Sequence, residues 1–161
     1  MSTINVRQAV KSDAETIHRF IMELAIYEKA EHEVKSTVAD IEATLFTDGC
    51  TAHALICELD AEPVGMAVYF FNYSTWLGQN GIYLEDLYVS PNNRGHGLGK
   101  KLMAGLARIA VEKNCGRMDW SVLDWNQPAI DVYDAIGAKP QPEWIGYRLS
   151  GTALNDLAAT E

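Results

Sequence analysis

Basic residues, cysteines and long apolar runs are all scarce in this chain of 161 residues. Lysine and arginine number 13 against 22 aspartate and glutamate residues, which gives a formal net charge of −9. This balance argues against a nucleic-acid partner, because nucleic-acid binders need basic patches. It suits a cationic partner, since a negative field attracts ammonium groups, although acidity also serves solubility alone.

The three cysteines, Cys50, Cys57 and Cys115, are an odd number without C-x-x-C spacing, so we expect free thiols in a reducing cytoplasm. The histidines are scattered, and the sequence offers no metal-binding constellation. No apolar run approaches the length of a membrane span, and the first residues lack the pattern of a signal peptide. We therefore expect a cytoplasmic protein with a single domain over residues 1–161.

The spacing of apolar residues predicts the element order β-α-α-β-β-β-α-β-α-β, followed by a terminal helical turn or two. The predicted strands cover residues 4–7, 52–59, 64–73, 83–89, 117–123 and 144–149. A capping box of Ser12 and Glu15 should open the first helix, which ends near Tyr27. Later helices are expected from Thr37 or Val38 to about residue 46, from Leu98, and from Pro128 through Ile136. This pattern predicts a three-layer α/β/α fold with a mixed, mostly antiparallel central sheet.

A glycine-rich turn between a buried strand and a helix is the most informative stretch. The strand over residues 83–89 is followed by Ser90-Pro91-Asn92-Asn93, then by Arg94-Gly95-His96-Gly97-Leu98-Gly99. This order directs backbone N–H groups outward at a helix N-terminus, where the dipole also favours an anion. The glycine spacing fits neither a nucleotide P-loop nor the dinucleotide fingerprint. From these residues alone, an anion-binding loop and a flexible turn that opens an ordinary helix both remain possible.

The R-G-x-G-x-G pattern of this turn resembles the pyrophosphate loop of the GCN5-related N-acetyltransferases (GNAT), which bind acetyl-coenzyme A. Other segments are similar to the diamine branch of that family, the spermidine/spermine and thialysine N-acetyltransferases. These segments are residues 23–28, 69–73, 76–78, 83–87 and 125–133, with Gly137-Ala138. The resemblance runs from about Arg7 to Leu149. It implies an acetyl-CoA-dependent enzyme without a metal, which acetylates a primary amine of a small polyamine or diamine-like substrate by direct transfer.

The resemblance also implies three groups of coenzyme contacts. Leu87, Tyr88 and Val89 would offer backbone groups to the pantetheine, much as an added strand pairs with an open sheet edge. The pyrophosphate would be held by Arg94, Gly95, His96, Gly97, Leu98, Gly99 and Lys100. Asn126, Pro128 and Ala129 would line the coenzyme further along.

Tyr133 matches a catalytic position of the family, and Glu85 is a second catalytic candidate because of its place within a strand. Tyr133 would protonate the departing thiolate, since the pKa of a phenol exceeds that of a thiol; its residue pattern alone favours packing beside Ile130 and Ile136. A carboxylate within a strand is costly if it is buried unpaired. We therefore expect Glu85 to face the cleft, where it would bind the cationic amine and accept its proton, directly or through water. Alternatively, Glu85 turns to solvent or pairs with an arginine. Strand alternation places Asp86 on the opposite face, unless a bulge intervenes.

Tyr27 and Glu28 match the family's substrate pair at the end of the first helix. Glu28 would hold the distal ammonium of a diamine while Tyr27 packs on its methylenes; the alternative for Glu28 is an ordinary solvated helix end. The chain departs from the diamine enzymes at Trp144-Ile145-Gly146-Tyr147-Arg148, where Ile145 replaces an acid. That replacement leaves room for a shorter amine or an amino-acid side chain.

The family similarity further implies a homodimer, for which residues 69–76 and the predicted strand 144–149 are the candidate interface. Two other functions are to be weighed. One is acetylation of a different amine, such as an antibiotic, an amino acid or a peptide N-terminus. The other is a coenzyme-A-binding sensor without turnover, which loss of Glu85 or Tyr133 would have favoured; both residues are present.

Overall fold

Five strands form one sheet in the order β1-β2-β3-β4-β5 in the computed structural model, which describes all residues, 1–161. The strands are β1 (Ile4–Gln8), β2 (Ala52–Leu59), β3 (Glu62–Ser74), β4 (Gln79–Val89) and β5 (Met118–Trp120). The helices are α1 (Ala14–Tyr27), α2 (Val38–Leu45), α3 (Leu98–Glu112), α4 (Gln127–Ala135) and α5 (Gly151–Ala158). Strands β1 to β4 pair antiparallel, and β5 pairs parallel to β4. The predicted mixed, mostly antiparallel sheet is confirmed.

The chain divides into two compact units, Met1–Ser121 and Val122–Glu161. The first unit contains the whole sheet with α1, α2 and α3, and the second contains α4 and α5. None of the helices is both long enough and apolar enough to cross a lipid bilayer.

Helices cover both faces of the sheet. Successive residues of β2 point to opposite sides and so contact different helices. Ile56 belongs to a buried cluster with Ile17 and Phe20 of α1. Its neighbour Leu55 faces α3, where a Cβ placed on Gly105 would lie 3.2 Å from the Leu55 side chain. The stripe on α3 consists of Leu98, Leu102 and Leu106, all at most 1% exposed. Burying each such side chain contributes roughly 1.5–3 kcal/mol, so both helical layers hold the sheet.

The start of α1 differs from the prediction. The capping box of Ser12 and Glu15 is wrong: α1 begins at Ala14 after Asp13, and no side chain caps it. Asp13 instead accepts hydrogen bonds from the Val10 amide at 2.7 Å and from Arg7 at 2.7 and 3.0 Å. The Arg7 guanidinium beside Asp13 lowers the pKa of that carboxyl. A partly buried ion pair between β1 and the turn therefore sets the helix start, which local sequence could not reveal.

The hairpin between β2 and β3 is tighter than predicted, because the predicted strands leave a turn of four residues, 60–63, between them. Only Asp60 and Ala61 connect the strands, with φ of 51° and 69°. Two central residues with positive φ match the twist of a two-residue hairpin.

The last predicted strand, over residues 144–149, is wrong, because the segment between α4 and α5 contains no strand. A strand needs a hydrogen-bonded neighbour, and its apolar pattern alone does not supply one. In this segment Trp144, Ile145 and Tyr147 are 68%, 78% and 95% exposed.

Candidate active site

An open sheet edge lies beyond the short contact between β4 and β5. The two strands pair only where residues 82–84 of β4 meet residues 118–120 of β5. From Glu85 onward, the edge of β4 that faces away from β3 has no strand beside it. Ser90 N–H donates to the Val64 carbonyl beside β3, so Tyr88, two residues earlier, bonds to β3 as well. Leu87 and Val89 therefore direct their backbone groups to the open edge, where they can pair with an extended ligand.

A β-bulge re-aims the two acids in the middle of β4. Val68 of β3 pairs with Asp86, and the next residue, Tyr69, pairs with Leu84, so Glu85 has no partner in β3. Bulges bend a strand and change the direction of its side chains. The alternation of side chains along β4 is therefore interrupted at Glu85 and Asp86, so alternation alone does not determine which face each of these acids occupies. In the structure Glu85 is exposed and Asp86 is half-buried.

Three carboxylates interact electrostatically at this bulge. Burial raises the pKa of Asp86 from 3.8 to about 6, with smaller contributions from the charges of Glu85 and Glu28. Glu28 lies at the C-cap of α1, and burial raises its own pKa as well. We call Glu28, Glu85 and Asp86 the acidic group. It attracts cations, and Asp86 has a pKa close enough to neutrality to exchange a proton.

Asp86 belongs to the acidic group, although the sequence favoured Glu85 over it as a candidate site residue. The available signal was the pair of adjacent acids in an otherwise apolar and aromatic strand. The bulge that decides between them has no signature in the residues around it.

The side chain of Tyr88 points away from the open edge into the α1 layer. Its hydroxyl donates a hydrogen bond to Glu23 Oε2 at 2.7 Å, and its ring lies 5.5 Å from the Phe20 ring. Burial and then Glu23 raise the pKa of Tyr88 to about 12. Tyr88 thus anchors β4 to α1 with its side chain and to β3 with its backbone, so the expected contact between its backbone and the pantetheine does not fit this register.

The glycine-rich loop has the backbone geometry of an anion site. Gly95 and Gly97 have φ of 84° and 73°, in the left-handed region that favours glycine, and Gly97 is the N-cap of α3. Lys101 donates to the Gly97 carbonyl at 3.0 Å as the first helical bond, so the amides just before Lys101 lack intrahelical acceptors. A Cβ on Gly95 or Gly97 would meet nothing within 4 Å. These N–H groups, the helix dipole and the exposed Lys100 fit a pyrophosphate.

Four of the predicted site residues belong to the second unit. Asn126 is the N-cap of α4 and accepts a hydrogen bond from the Ala129 amide at 3.5 Å, while Pro128 lies in the first turn. Tyr133 is half-buried in the same helix. At the other end of α4, Gly137 has φ of 89°, as expected for the residue after a C-cap.

Comparisons with known proteins agree with this arrangement. The sequence model of the acetyltransferase (GNAT) family matches residues 17–138. A thialysine N-epsilon-acetyltransferase of Bos taurus is 39% identical in an alignment that covers 98% of this chain and 99% of the relative. The spermidine/spermine N(1)-acetyltransferase-like protein 1 of Homo sapiens is 32% identical, over 100% of this chain and 24% of that protein.

Among solved structures, an integron cassette protein from the mobile metagenome of V. cholerae superposes with a TM-score of 0.82. It is 27% identical, and the match covers 98% of both chains. Fold, loop and sequence similarity all define an N-acetyltransferase. The chain belongs to the GNAT acetyltransferase family, and the predicted family, fold class and enzyme class are confirmed.

Proposed function

We propose that this enzyme transfers the acetyl group of acetyl-CoA to a primary amine of a small diamine-like substrate, such as a polyamine or a thialysine-like amino acid. The observation that carries this proposal is the acidic group at the bulge of β4, next to the open edge of that strand. Asp86, with a pKa of about 6, gives this site a carboxylate suited to accepting a proton near neutral pH.

The coenzyme would be held by the loop and by the open edge. The amides of residues 95–100 would bind the pyrophosphate, and the backbone of Leu87 and the amide of Val89 would pair with the pantetheine. The Val89 carbonyl already accepts a hydrogen bond from Arg94 Nε at 2.9 Å. When bound, acetyl-CoA supplies the acyl carbon that the amine attacks and the thiolate that leaves. We expect Asn126, Pro128 and Ala129 to line the coenzyme, as the family similarity implies.

Glu85 and Asp86 would have different roles, because they differ in exposure. Glu85 is exposed and would attract the reacting ammonium, while half-buried Asp86 would accept its proton. This assignment moves the role of proton acceptor from Glu85, the sequence-based candidate, to its neighbour. Tyr133 remains the proposed donor of a proton to the leaving sulfur, and the support for it is its match to the family motif.

Glu28 would hold the second ammonium of the substrate. It lies half-buried at the end of α1, beside Tyr27, and its charge acts on Asp86. Two separated carboxylates suit a molecule with two amines, one reacting and one anchored. Two relatives named for thialysine and for spermidine/spermine support an acceptor of this class.

An amine panel tests the proposal through the release of thiol from acetyl-CoA. Diamines and thialysine-like amino acids should have a higher kcat/KM than monoamines of equal length. Equal values for a diamine and its matched monoamine would overturn the anchored ammonium but not acetyl transfer. Turnover only with aminoglycosides or peptide N-termini would overturn the acceptor class, and no turnover with CoA binding would favour a sensor.

We further propose that both units form one N-acetyltransferase domain and that the enzyme is a cytoplasmic homodimer. The family match over residues 17–138 crosses the boundary between the units. The three cysteines are free, as a reducing compartment requires.

Trp76 is 86% exposed and Tyr147 is 95% exposed, in the two segments predicted to form the interface. Contiguous exposed apolar patches mark association surfaces, and we propose that each of these side chains belongs to such a patch. A monomer in light scattering at micromolar concentration would contradict the dimer.

A further inference from the structure

Arg94, the first residue of the glycine-rich loop, packs its side chain against two other parts of the protein. Its guanidinium lies 5.1 Å from the centre of the Tyr27 ring and 5.7 Å from the centre of the Tyr88 ring. Its Nε donates to the Val89 carbonyl at 2.9 Å. The side chain is therefore engaged with the end of α1 and the end of β4.

The two aromatic neighbours of Arg94 differ in how firmly they are held. Tyr88 is 3% exposed and is fixed by its hydrogen bond to Glu23. Tyr27 is the last residue of α1, is 39% exposed, and precedes Glu28 of the acidic group. Helix ends fray more readily than helix interiors. A cation within about 6 Å of an aromatic ring is attracted to that ring. Arg94 contacts both rings, so it restrains the Tyr27 side chain relative to the fixed Tyr88 side chain.

We propose that Arg94 is a positioning residue that couples the coenzyme loop to the acceptor end of α1. A ligand that orders residues 94–100 lowers the entropic cost of holding Arg94 against Tyr27, and this contact in turn orders the end of α1 beside Glu28. Coupling between two sites is reciprocal, so an ordered α1 end also raises the affinity for the coenzyme. This inference rests on the proposed function, because it assumes that the loop binds coenzyme A.

The competing explanation is that Arg94 serves only as a charge for the phosphates. In that case a change at Tyr27, which belongs to α1 and not to the loop, would leave coenzyme affinity unaltered. The two explanations therefore differ in a binding constant that can be measured without turnover.

Calorimetry with coenzyme A on Tyr27→Leu and Tyr27→Phe tests the coupling. The leucine variant loses the ring, and we expect its Kd for coenzyme A to rise measurably, by up to about fivefold, since the full energy of an exposed cation–aromatic contact is the upper limit of the effect. The phenylalanine variant keeps the ring, and its Kd should stay within about twofold of the parent value. Thermal unfolding of both variants checks that α1 still folds.

A double-mutant cycle with Arg94→Gln assigns the effect to this contact. In the Arg94→Gln background, Tyr27→Leu should no longer change the Kd for coenzyme A. Saturating coenzyme A should also tighten the binding of a diamine to the parent, and this gain should shrink in Arg94→Gln. A parent-like Kd for Tyr27→Leu, or the same rise in both backgrounds, would overturn the coupling. Failure of the parent itself to bind coenzyme A would instead overturn the proposed function.

Discussion

Replacing Asp86 by asparagine should stabilise this enzyme while it removes activity. The pKa of Asp86 is raised from 3.8 to about 6, mainly by burial and further by Glu85 and Glu28. Each pKa unit corresponds to 1.36 kcal/mol, so the ionised side chain costs about 3 kcal/mol of the free energy of unfolding. An amide of the same shape carries no charge and avoids this cost.

The sign of the pH dependence follows from the direction of that shift. Because the pKa of Asp86 is raised in the folded state, its favourable contribution is present below about pH 4 and is lost as the pH rises to about 6. Parent and Asp86→Asn should thus unfold alike near pH 4. Above pH 6 the variant should gain up to about 3 kcal/mol, or roughly 6–12 °C in Tm for a chain of this size.

Thermal unfolding at pH 4 and pH 8 measures this difference. Glu85→Gln is the matched control: it removes the same formal charge from the neighbouring, exposed carboxylate and should gain less. We also expect kcat/KM of the parent to rise with pH near 6, as Asp86 ionises, and we expect Asp86→Asn to abolish this rise and to lower kcat/KM by ~10²–10⁴-fold. A stability gain that is equal at both pH values, or full activity in the variant, would refute the reasoning about Asp86.

Three other substitutions test the rest of the site. Gly97→Val should weaken coenzyme A binding in calorimetry, because φ of 73° costs a side chain roughly 1–2 kcal/mol and distorts the loop; unchanged affinity in a folded variant would contradict the loop assignment. Tyr133→Phe should lower kcat by ~10²–10⁴-fold with little change in coenzyme affinity, and an unchanged kcat with rate-limiting chemistry would leave Tyr133 as a packing residue. Glu28→Gln should raise KM for diamines more than it lowers kcat, with little effect on monoamines; an equal effect on both amines would count against anchoring by Glu28.

The scaffold was predictable where local periodicity and burial agree. The stripe of Leu98, Leu102 and Leu106 marks α3, and all three side chains are buried. Thr37 caps α2 with Asp40, close to the predicted start of that helix. The start of α1 was not predictable in this way, because it depends on an ion pair to β1.

The glycine-rich loop could be predicted because its backbone geometry depends on its own residues, whereas the open edge of β4 followed only from the family resemblance. Glycines with positive φ and a turn between strand and helix leave a local record in the sequence. The missing strand at residues 144–149 shows the opposite case, since a strand exists only when another strand lies beside it.

The acidic group was predicted only in part: Glu28 and Glu85 were expected at one acceptor site, but Asp86 was not, because a bulge and burial bring it into the group. Each of its features breaks a rule that favours stability: two adjacent acids occupy an apolar strand, and like charges raise the pKa of the one that is half-buried. Native proteins accept such costs mainly at functional sites. The cost of ionised Asp86 and its proposed role therefore have the same physical origin, since burial both destabilises the carboxylate and makes it a better base. A variant that is more stable at pH 8 and inactive there would display both consequences in one molecule.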